Sequence, residues 1–285
     1  MEVRLRPGTI EDAQECGRIL YAAFRSIADQ HGFPPDFPSV EVATGGTTML
    51  LAHPDIYAVV AERDGALVGS NFLDERSPIA GIGPISVDPP FMNAAIGRQL
   101  MQAVLDRAAE QHFPGVRLVQ IAWHYRSLAL YAKLGFETRE TLSALQGEPL
   151  ALTIPGYAVR PAREADLCAC NRLCQGVHGH DRGGELRDAI GQGSAQVVER
   201  LGRITGYCTG IGWFHHAAAE TNDDLKALIG AAPAFLGPGF LVPSRNGELF
   251  RWCLRQGLRV VSQATLMTIG LYNEPTGAYL PSILY

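Results

Sequence analysis

Residues 85–100 read ISVDPPFMNAAIGRQL, and this stretch predicts a short strand, a tight loop and the start of a helix. β-Branched residues in ISV suit a strand, which the Pro89-Pro90 pair ends. Apolar residues then recur with helical period over positions 96–109. The first amides of a helix lack an intrahelical partner, and together with the helix dipole they favour a bound diphosphate. Many strand-loop-helix units have no ligand, so this stretch alone is a weak signal.

A second stretch, residues 124–137, reads HYRSLALYAKLGFE and predicts an amphipathic helix that Gly135 ends. With this stretch the chain resembles the GNAT superfamily of acyl-CoA-dependent N-acyltransferases. In that family a loop after V-x-P usually reads Q-x-x-G-x-G or A, and a later helix reads N-x-x-A-x-x-L-Y-x-K-x-G-F. The helix pattern is present here at His124, Ser127, Leu130, Tyr131, Lys133, Gly135 and Phe136.

The loop pattern is present with two departures. Met92 stands at the family's Gln position and Ala95 at its first Gly position, whereas Gly97 matches the second Gly. The resemblance implies that acetyl-CoA binds here, chiefly through backbone amides that these side-chain changes do not remove. The residues that the resemblance assigns to this cofactor are Ile85, Ser86, Val87, Met92, Asn93, Ala94, Ala95, Ile96, Gly97, Arg98, His124, Ser127, Tyr131 and Lys133.

Length and charge narrow the class of protein. The chain has 285 residues, which is long for one hydrophobic core and sufficient for two. Its net charge of −5 and the lack of a Lys- or Arg-rich tract argue against nucleic acid or a membrane surface as a partner. The sequence shows neither a signal-like apolar N-terminus nor a run of about 20 apolar residues, so we expect a cytoplasmic location.

Potential metal ligands do not occur at the spacings of metal sites. Cys168, Cys170 and Cys174 share a helical pattern without a second ligand pair, so we interpret them as small core residues. The six cysteines are scattered along the chain, which favours free thiols over disulfides. We therefore expect no metal ion.

The first half of the sequence is echoed in the second. Arg6 and Asp12 recur as Arg160 and Asp166, at an offset of 154 residues (160 − 6). In both places a short strand precedes the arginine, and the aspartate opens a helix. Chance recurrence of strand-helix patterns is the alternative, and further echoes in the same order argue against it.

Two more echoes follow in order. The stretches 59–70 and 196–207 both predict a hairpin, and the helix ending at Gly135 is matched by one ending at Gly257. Together with the resemblance, the echoes predict an α/β (α+β) protein of two tandem GNAT-like folds. Each fold is expected to be a mixed, mostly antiparallel twisted sheet flanked by helices.

The two copies are not equivalent. We place the first domain at 1–147 and the second at 157–285, with a Pro- and Gly-containing segment between them. The offset between matched positions falls by 15 residues (137 − 122) across the interval that holds the diphosphate loop in the first copy. Cys253 stands opposite Tyr131. We therefore expect the second copy to have lost its cofactor site, with its remaining role either structural or as a wall of the acceptor pocket.

The resemblance proposes roles for three side chains. Tyr131 matches the family tyrosine that acts as general acid to the CoA thiolate; a tyrosine packed beside Phe136 is the alternative. His124 stands where the family often has an Asn that bonds the pantetheine arm, although a buried structural histidine is nearly as plausible. Glu75, next to Asp74 at a strand end, is the candidate general base, and a solvated strand-end pair is the alternative.

Acceptor residues are less determined. The Pro-rich segment 28–39, which contains Phe33, is a candidate lid over a partly hydrophobic amine. The segment HGHDR contains His178, His180 and Asp181 and follows the first helix of the second copy, a region that borders the acceptor pocket in the family. A hydrogen-bonded loop is the alternative for HGHDR.

The expected function is that of an N-acetyltransferase that moves an acetyl group from acetyl-CoA to a primary amine by direct attack. The acceptor is a small molecule or a peptide that the sequence does not identify, and the sequence leaves a homodimer open. The alternative is a non-catalytic acyl-CoA-binding sensor or scaffold module. This alternative draws on Met92, Ala95 and the decayed second copy.

Overall fold

The computed structural model describes residues 3–92 and 94–284, so the predicted cofactor residue Asn93 lies outside the described residues. The elements of the first half are β1 (Arg4–Pro7), α1 (Ala13–His31), α2 (Val40–Ala52), β2 (Ile56–Arg63), β3 (Ala66–Asp74), β4 (Ala80–Ile82), β5 (Ser86–Val87), α3 (Ile96–Glu110), β6 (Gly115–Ile121), α4 (Tyr125–Lys133) and β7 (Glu137–Gln146). Those of the second half are β8 (Ala158–Pro161), α5 (Leu167–His178), α6 (Gly183–Gly191), β9 (Gln196–Arg200), β10 (Arg203–Cys208), β11 (Ala217–Ala219), α7 (Asn222–Ala231), β12 (Phe240–Pro243), α8 (Gly247–Arg255), β13 (Arg259–Gly270) and β14 (Ala278–Leu280).

The predicted repeat is visible in a repeated ion-pair motif. Arg6 donates to Asp12 at 2.7 Å and to Glu62 at 2.7 Å, which ties the start of α1 to β2. In the second half Arg160 donates to Asp166 at 2.7 Å and to a glutamate of β9 at 2.9 Å. The same three side chains therefore fix the same strand-helix junction in both copies.

The two halves share a sheet, which the sequence does not predict. The strand order of the larger sheet is β1-β2-β3-β4-β6-β13-β7-β12, with β5 paired to β3. Strand β13 of the second half lies between β6 and β7 of the first half and is antiparallel to both. Strand β12 completes the exchange by pairing with β7. The predicted tandem folds are confirmed, whereas the boundaries at 147 and 157 stay predictions. Strands from the two sides of these boundaries pair in one sheet.

Strands β4 and β6 open a gap in the larger sheet. They pair in parallel only at Ala80–Val116 and Gly81–Arg117. Beyond this point the chain continues into β5, which pairs with β3 and not with β6. A splayed pair of strands results, and side chains of β5 and β6 pack in the same cluster as those of α3.

The core of the first half fills one face of this sheet. Apolar side chains of α3 pack against β3 and β6, with Tyr131 of α4 and Met267 of β13 in the same cluster. The smaller sheet, in the order β14-β11-β10-β9-β8, carries the second half. Among the residues described, no helix is both long and apolar enough to span a bilayer.

Candidate active site

The start of α3 is the most distinctive feature of the splayed region. Ala95 precedes the helix with φ 59° and ψ 10°, a left-handed conformation that turns the chain sharply into the helix. No side chain among the described residues caps the first amides, and the first turn contains no acidic residue. Buried Ile96 anchors this turn while Arg98 is exposed. The amides therefore stay open to an external anion, as the sequence predicts.

Gly97 leaves room above the first turn of α3. A Cβ atom at this position would meet only Val87 Cγ2 at 3.8 Å and Leu130 Cδ2 at 3.9 Å, which are ordinary contacts. Internal packing therefore does not require a glycine at this position. The uncapped amides together with this open space fit the diphosphate of a CoA molecule.

The predicted cofactor strand forms the inner wall of the splay. Ser86 is buried, and its Oγ lies 3.3 Å from the Oγ of Ser70 on β3. Its neighbours Ile85 and Val87 are half-buried and pack against the core under α3. Met92 is half-buried and Ala94 exposed in the loop that follows. The structure thus brings the predicted strand and the described part of the predicted loop together at the start of α3.

His124 and Ser127 form one unit at the start of α4. Ser127 Oγ lies 2.7 Å from His124 Nδ1 and 2.9 Å from the His124 carbonyl oxygen. Burial, helped by Arg126, lowers the pKa of His124 to about 4, so the ring is neutral at pH 7. The Nε2 atom remains available to a ligand. Lys133 is exposed at the far end of α4, about 13 Å along the helix, and does not join this unit.

Tyr131 lies on the buried face of α4. Its ring lies edge-on to Phe136 with the centroids 6.1 Å apart, so the packing role offered by the sequence is present. Burial raises the pKa of the phenol, which keeps it protonated over the physiological range. The proton is therefore present for a donor role, while the raised pKa makes the phenol a weaker acid. The acid role of Tyr131 is compatible with this environment and stays a prediction.

Glu75 is held by an arginine. Arg107 donates to both carboxylate oxygens, at 2.8 and 3.0 Å. Arg107 lies in the last turns of α3, about 16 Å along the helix from Ile96. A role as proton acceptor would first require this bidentate pair to break. The neighbouring Asp74 is likewise paired, with Arg76 at 2.5 Å.

The segment between α1 and α2 packs on the end of β6. Phe33 stacks on Trp123 with the ring centroids 4.8 Å apart and the planes 5° apart. In the same segment Asp36 makes no ion pair or hydrogen bond with any described residue, and burial raises its pKa to about 6. Sequence reasoning missed Asp36 and Trp123. A lone carboxylate within a Pro- and Phe-rich run was the available signal.

The HGHDR segment is a structured loop of the second half. His178 packs edge-on to Tyr279 at 5.1 Å, and His180 Nδ1 lies 3.2 Å from the Asp181 carbonyl oxygen. The Asp181 carboxylate accepts hydrogen bonds from Gln175 and from the Gly183 amide, which fixes the turn into α6. Phe33 stacks on Trp123 and not on the HGHDR segment. The predicted acceptor residues therefore form two separate groups of contacts. Within the described ranges, no three His, Cys, Asp or Glu side chains form a potential metal site.

The corresponding region of the second half differs at the start of α7. Thr221 caps this helix by accepting from the amide of Asp224, whose carboxylate in turn accepts from the Thr221 amide at 3.0 Å. Asp223 adds a second acidic side chain to the first turn. The cap and the acidic side chains therefore disfavour an anion at the start of α7. The start of α3 has neither a side-chain cap from the described residues nor an acidic side chain in its first turn.

The strand that pairs beside β11 also differs from its counterpart in the first half. Strand β14 pairs with β11 in the place that β6 takes beside β4 in the first half. At the position opposite His124, Asn246 is hydrogen-bonded to Asn222 at 2.8 Å. Cys253, opposite Tyr131, is fully buried. A cavity of about 390 Å³ remains near α7, lined in part by Thr221 and Asn246.

Comparisons with known proteins extend over this site and beyond it. A model of the acetyltransferase (GNAT) family matches residues 19–136. An IAA acetyltransferase from Azospirillum brasilense is 30% identical over 104 residues, which make up 36% of this chain and 68% of that protein. A candidate acetyltransferase from Pyrococcus horikoshii superposes at a TM-score of 0.78 and 16% identity, over 99% of this chain and 94% of that one. A tandem GNAT protein from the clavulanic acid biosynthesis pathway superposes at a TM-score of 0.59 and 15% identity, over 94% of this chain and 98% of that one. The two solved structures share the fold of both halves.

Proposed function

Since this chain belongs to the GNAT family of acetyltransferases, we propose that its N-terminal half transfers an acetyl group from acetyl-CoA to a primary amine of a small molecule or peptide. The observation that supports this best is the uncapped, acid-free start of α3 beside the splayed strands. This start provides backbone donors for a diphosphate. The gap between β5 and β6 gives an extended arm a path toward Tyr131.

Each residue of the site has a separate role in the proposed acyl transfer. Acetyl-CoA, when bound, supplies a thioester whose carbonyl carbon the neutral amine attacks. In this proposal, backbone amides near Ile85 and Val87 bind the pantetheine arm and donate to the oxygen on which negative charge develops. Tyr131 holds a proton at its phenol oxygen and gives it to the departing sulfur, so the thiol leaves neutral. His124 orients the arm through Nε2.

The proton from the amine needs an acceptor, and Asp36 fits this task better than Glu75. Asp36 lies in the segment whose Phe33 stacks on Trp123, just after β6, and no described residue forms an ion pair or hydrogen bond with its carboxylate. Glu75 is engaged by Arg107 through both oxygens. A carboxylate with a pKa near 6 is mostly ionised at pH 7 while remaining basic enough to accept a proton.

We propose that only the first half binds the cofactor. At α7 the amides are capped, the first turn is acidic, and β14 pairs with β11 in the antiparallel direction. The second half contributes β13 to the sheet that holds the site, so its role in this proposal is structural. Packing of α6 against the β3–β4 connection, where Glu185 Oε1 lies 3.4 Å from Ser77 Oγ, adds to this support.

Substitution Tyr131→Phe separates the enzyme from a non-catalytic acyl-CoA sensor. The phenylalanine keeps the ring contact with Phe136 and removes the proton donor. We expect turnover of acetyl-CoA with a panel of primary amines to fall about a hundredfold or more, while CoA affinity measured by calorimetry changes less than about threefold. Wild-type protein that binds CoA yet acetylates no amine in the panel, with the variant indistinguishable from it, would favour the sensor.

A further inference from the structure

Gln120 is a buried amide that the mechanism above does not use. It lies on β6, and its side chain is 4% exposed. Neither Oε1 nor Nε2 has a hydrogen-bond partner among the described residues. A buried amide with both ends unsatisfied is strongly unfavourable, and native proteins rarely keep one without a use for it.

The position of Gln120 places it inside the splay. Side chains alternate across a strand, so Gln120 shares its face with Val116 and Leu118, which pack in the core beneath α3 and α4. It follows the last pair between β6 and β4, at Arg117 and Gly81, by three residues. Its cross-strand neighbour Thr265 lies on β13, on the side away from the gap. The Gln120 amide therefore lies in the part of β6 that no longer pairs with β4.

We propose that Gln120 binds an amide group of the pantetheine arm, with Nε2 donating to its carbonyl oxygen and Oε1 accepting from its N–H. This inference rests on the proposed function, because it assumes that the arm of CoA enters the splay. The chemistry selects the group. A secondary amide satisfies both ends of a Gln side chain, whereas a thioester offers no donor and a diphosphate would lie against Oε1 without a proton to share.

The substitution Gln120→Met tests the proposal because it keeps length and volume while removing both polar atoms. Two ligands are compared by calorimetry: CoA, and 3′-phospho-ADP, which is the nucleotide part of CoA without pantetheine. We expect the Kd for CoA to rise about tenfold and the Kd for 3′-phospho-ADP to stay unchanged. Gln263→Met, the same change at an exposed position of β13, is the matched control and should alter neither value.

Thermal unfolding of the ligand-free protein gives a readout that a purely structural role would move. Because the buried amide gains nothing from unmade hydrogen bonds, we expect the Tm of Gln120→Met to equal or exceed that of the wild type. A Tm lowered by several degrees, unchanged CoA binding, or equal weakening of both ligands would each overturn the inference. Wild-type protein that binds neither ligand would instead overturn the proposed function, and the inference with it.

Discussion

The charge at the start of α3 can be reversed with one substitution, Gly97→Asp. Position 97 is the second residue of α3 and corresponds to Asp223, the second residue of α7, so the variant gives the first half an acidic side chain that the second half already has. The side chain fits, since a Cβ at Gly97 has no neighbour closer than 3.8 Å. Stability and cofactor affinity should move in opposite directions.

The two effects have different sizes. An aspartate in the first turn of a helix, replacing a glycine, stabilises the ligand-free protein by about 0.5–1 kcal/mol, or about 2 °C in Tm. One negative charge about 6 Å from a diphosphate charge costs roughly 0.7 to 2.8 kcal/mol for dielectric constants of 80 to 20. We therefore expect CoA affinity to fall about threefold to a hundredfold, with a smaller loss at high salt.

The assay is calorimetric titration with CoA at two salt concentrations, together with thermal unfolding of the ligand-free protein. Gly97→Ala controls for the added volume, and Gln102→Glu places the same charge more than a turn further along α3, on its exposed face. We expect both controls to bind CoA within about threefold of the wild type. Unchanged CoA affinity in Gly97→Asp would refute the argument that the α3 amides hold the diphosphate.

Two other predictions concern the acceptor side and the shared sheet. The pKa of Asp36 is raised from 3.8 to about 6 in the folded protein, so its contribution to stability is complete below pH 3.8 and is lost as the pH rises through 6. The free energy of unfolding of Asp36→Asn should therefore exceed that of the wild type by up to about 3 kcal/mol at pH 7 and should equal it at pH 3.5. The same variant should abolish a rise of kcat/KM near pH 6 that Glu75→Gln leaves in place, and a rise lost only in Glu75→Gln would return the base role to Glu75. A chain ending at Gly156 lacks β13 and leaves β6 and β7 without their shared neighbour. It should fail to unfold cooperatively as a monomer in calorimetry, and a cooperative monomeric transition would show that the first half is self-sufficient.

Local patterns predicted the elements of the site well. The helical period and the Pro pair predict a helix after a tight loop at 93–97, and in the structure the helix begins within that loop, at Ile96. The second motif predicts a helix that ends before Gly135, in agreement with α4. In both cases the signal lies within about 15 residues, so propensity and periodicity are enough to read it. Among the loop residues described, Ala95 adopts the left-handed conformation, a detail that the sequence pattern does not single out.

Long-range pairing was not accessible in the same way. The insertion of β13 between β6 and β7 joins segments more than 100 residues apart, and nothing in the local alternation of β7 or β13 distinguishes an exchanged strand from a hairpin partner. The pair between Glu75 and Arg107 is likewise set by where β3 and α3 end in space. Gln120 belongs to no sequence motif that would mark it as a binding residue. Its burial among apolar neighbours becomes evident only in the structure.

The central claim is that the chain has one acetyl-CoA site, at the start of α3. The most direct test is a calorimetric titration of the intact chain with acetyl-CoA, repeated with Gly97→Asp. We predict one site per chain in the wild type and binding weakened at least about threefold in the variant. Two sites per chain, or one site whose affinity is unchanged in the variant, would contradict the claim.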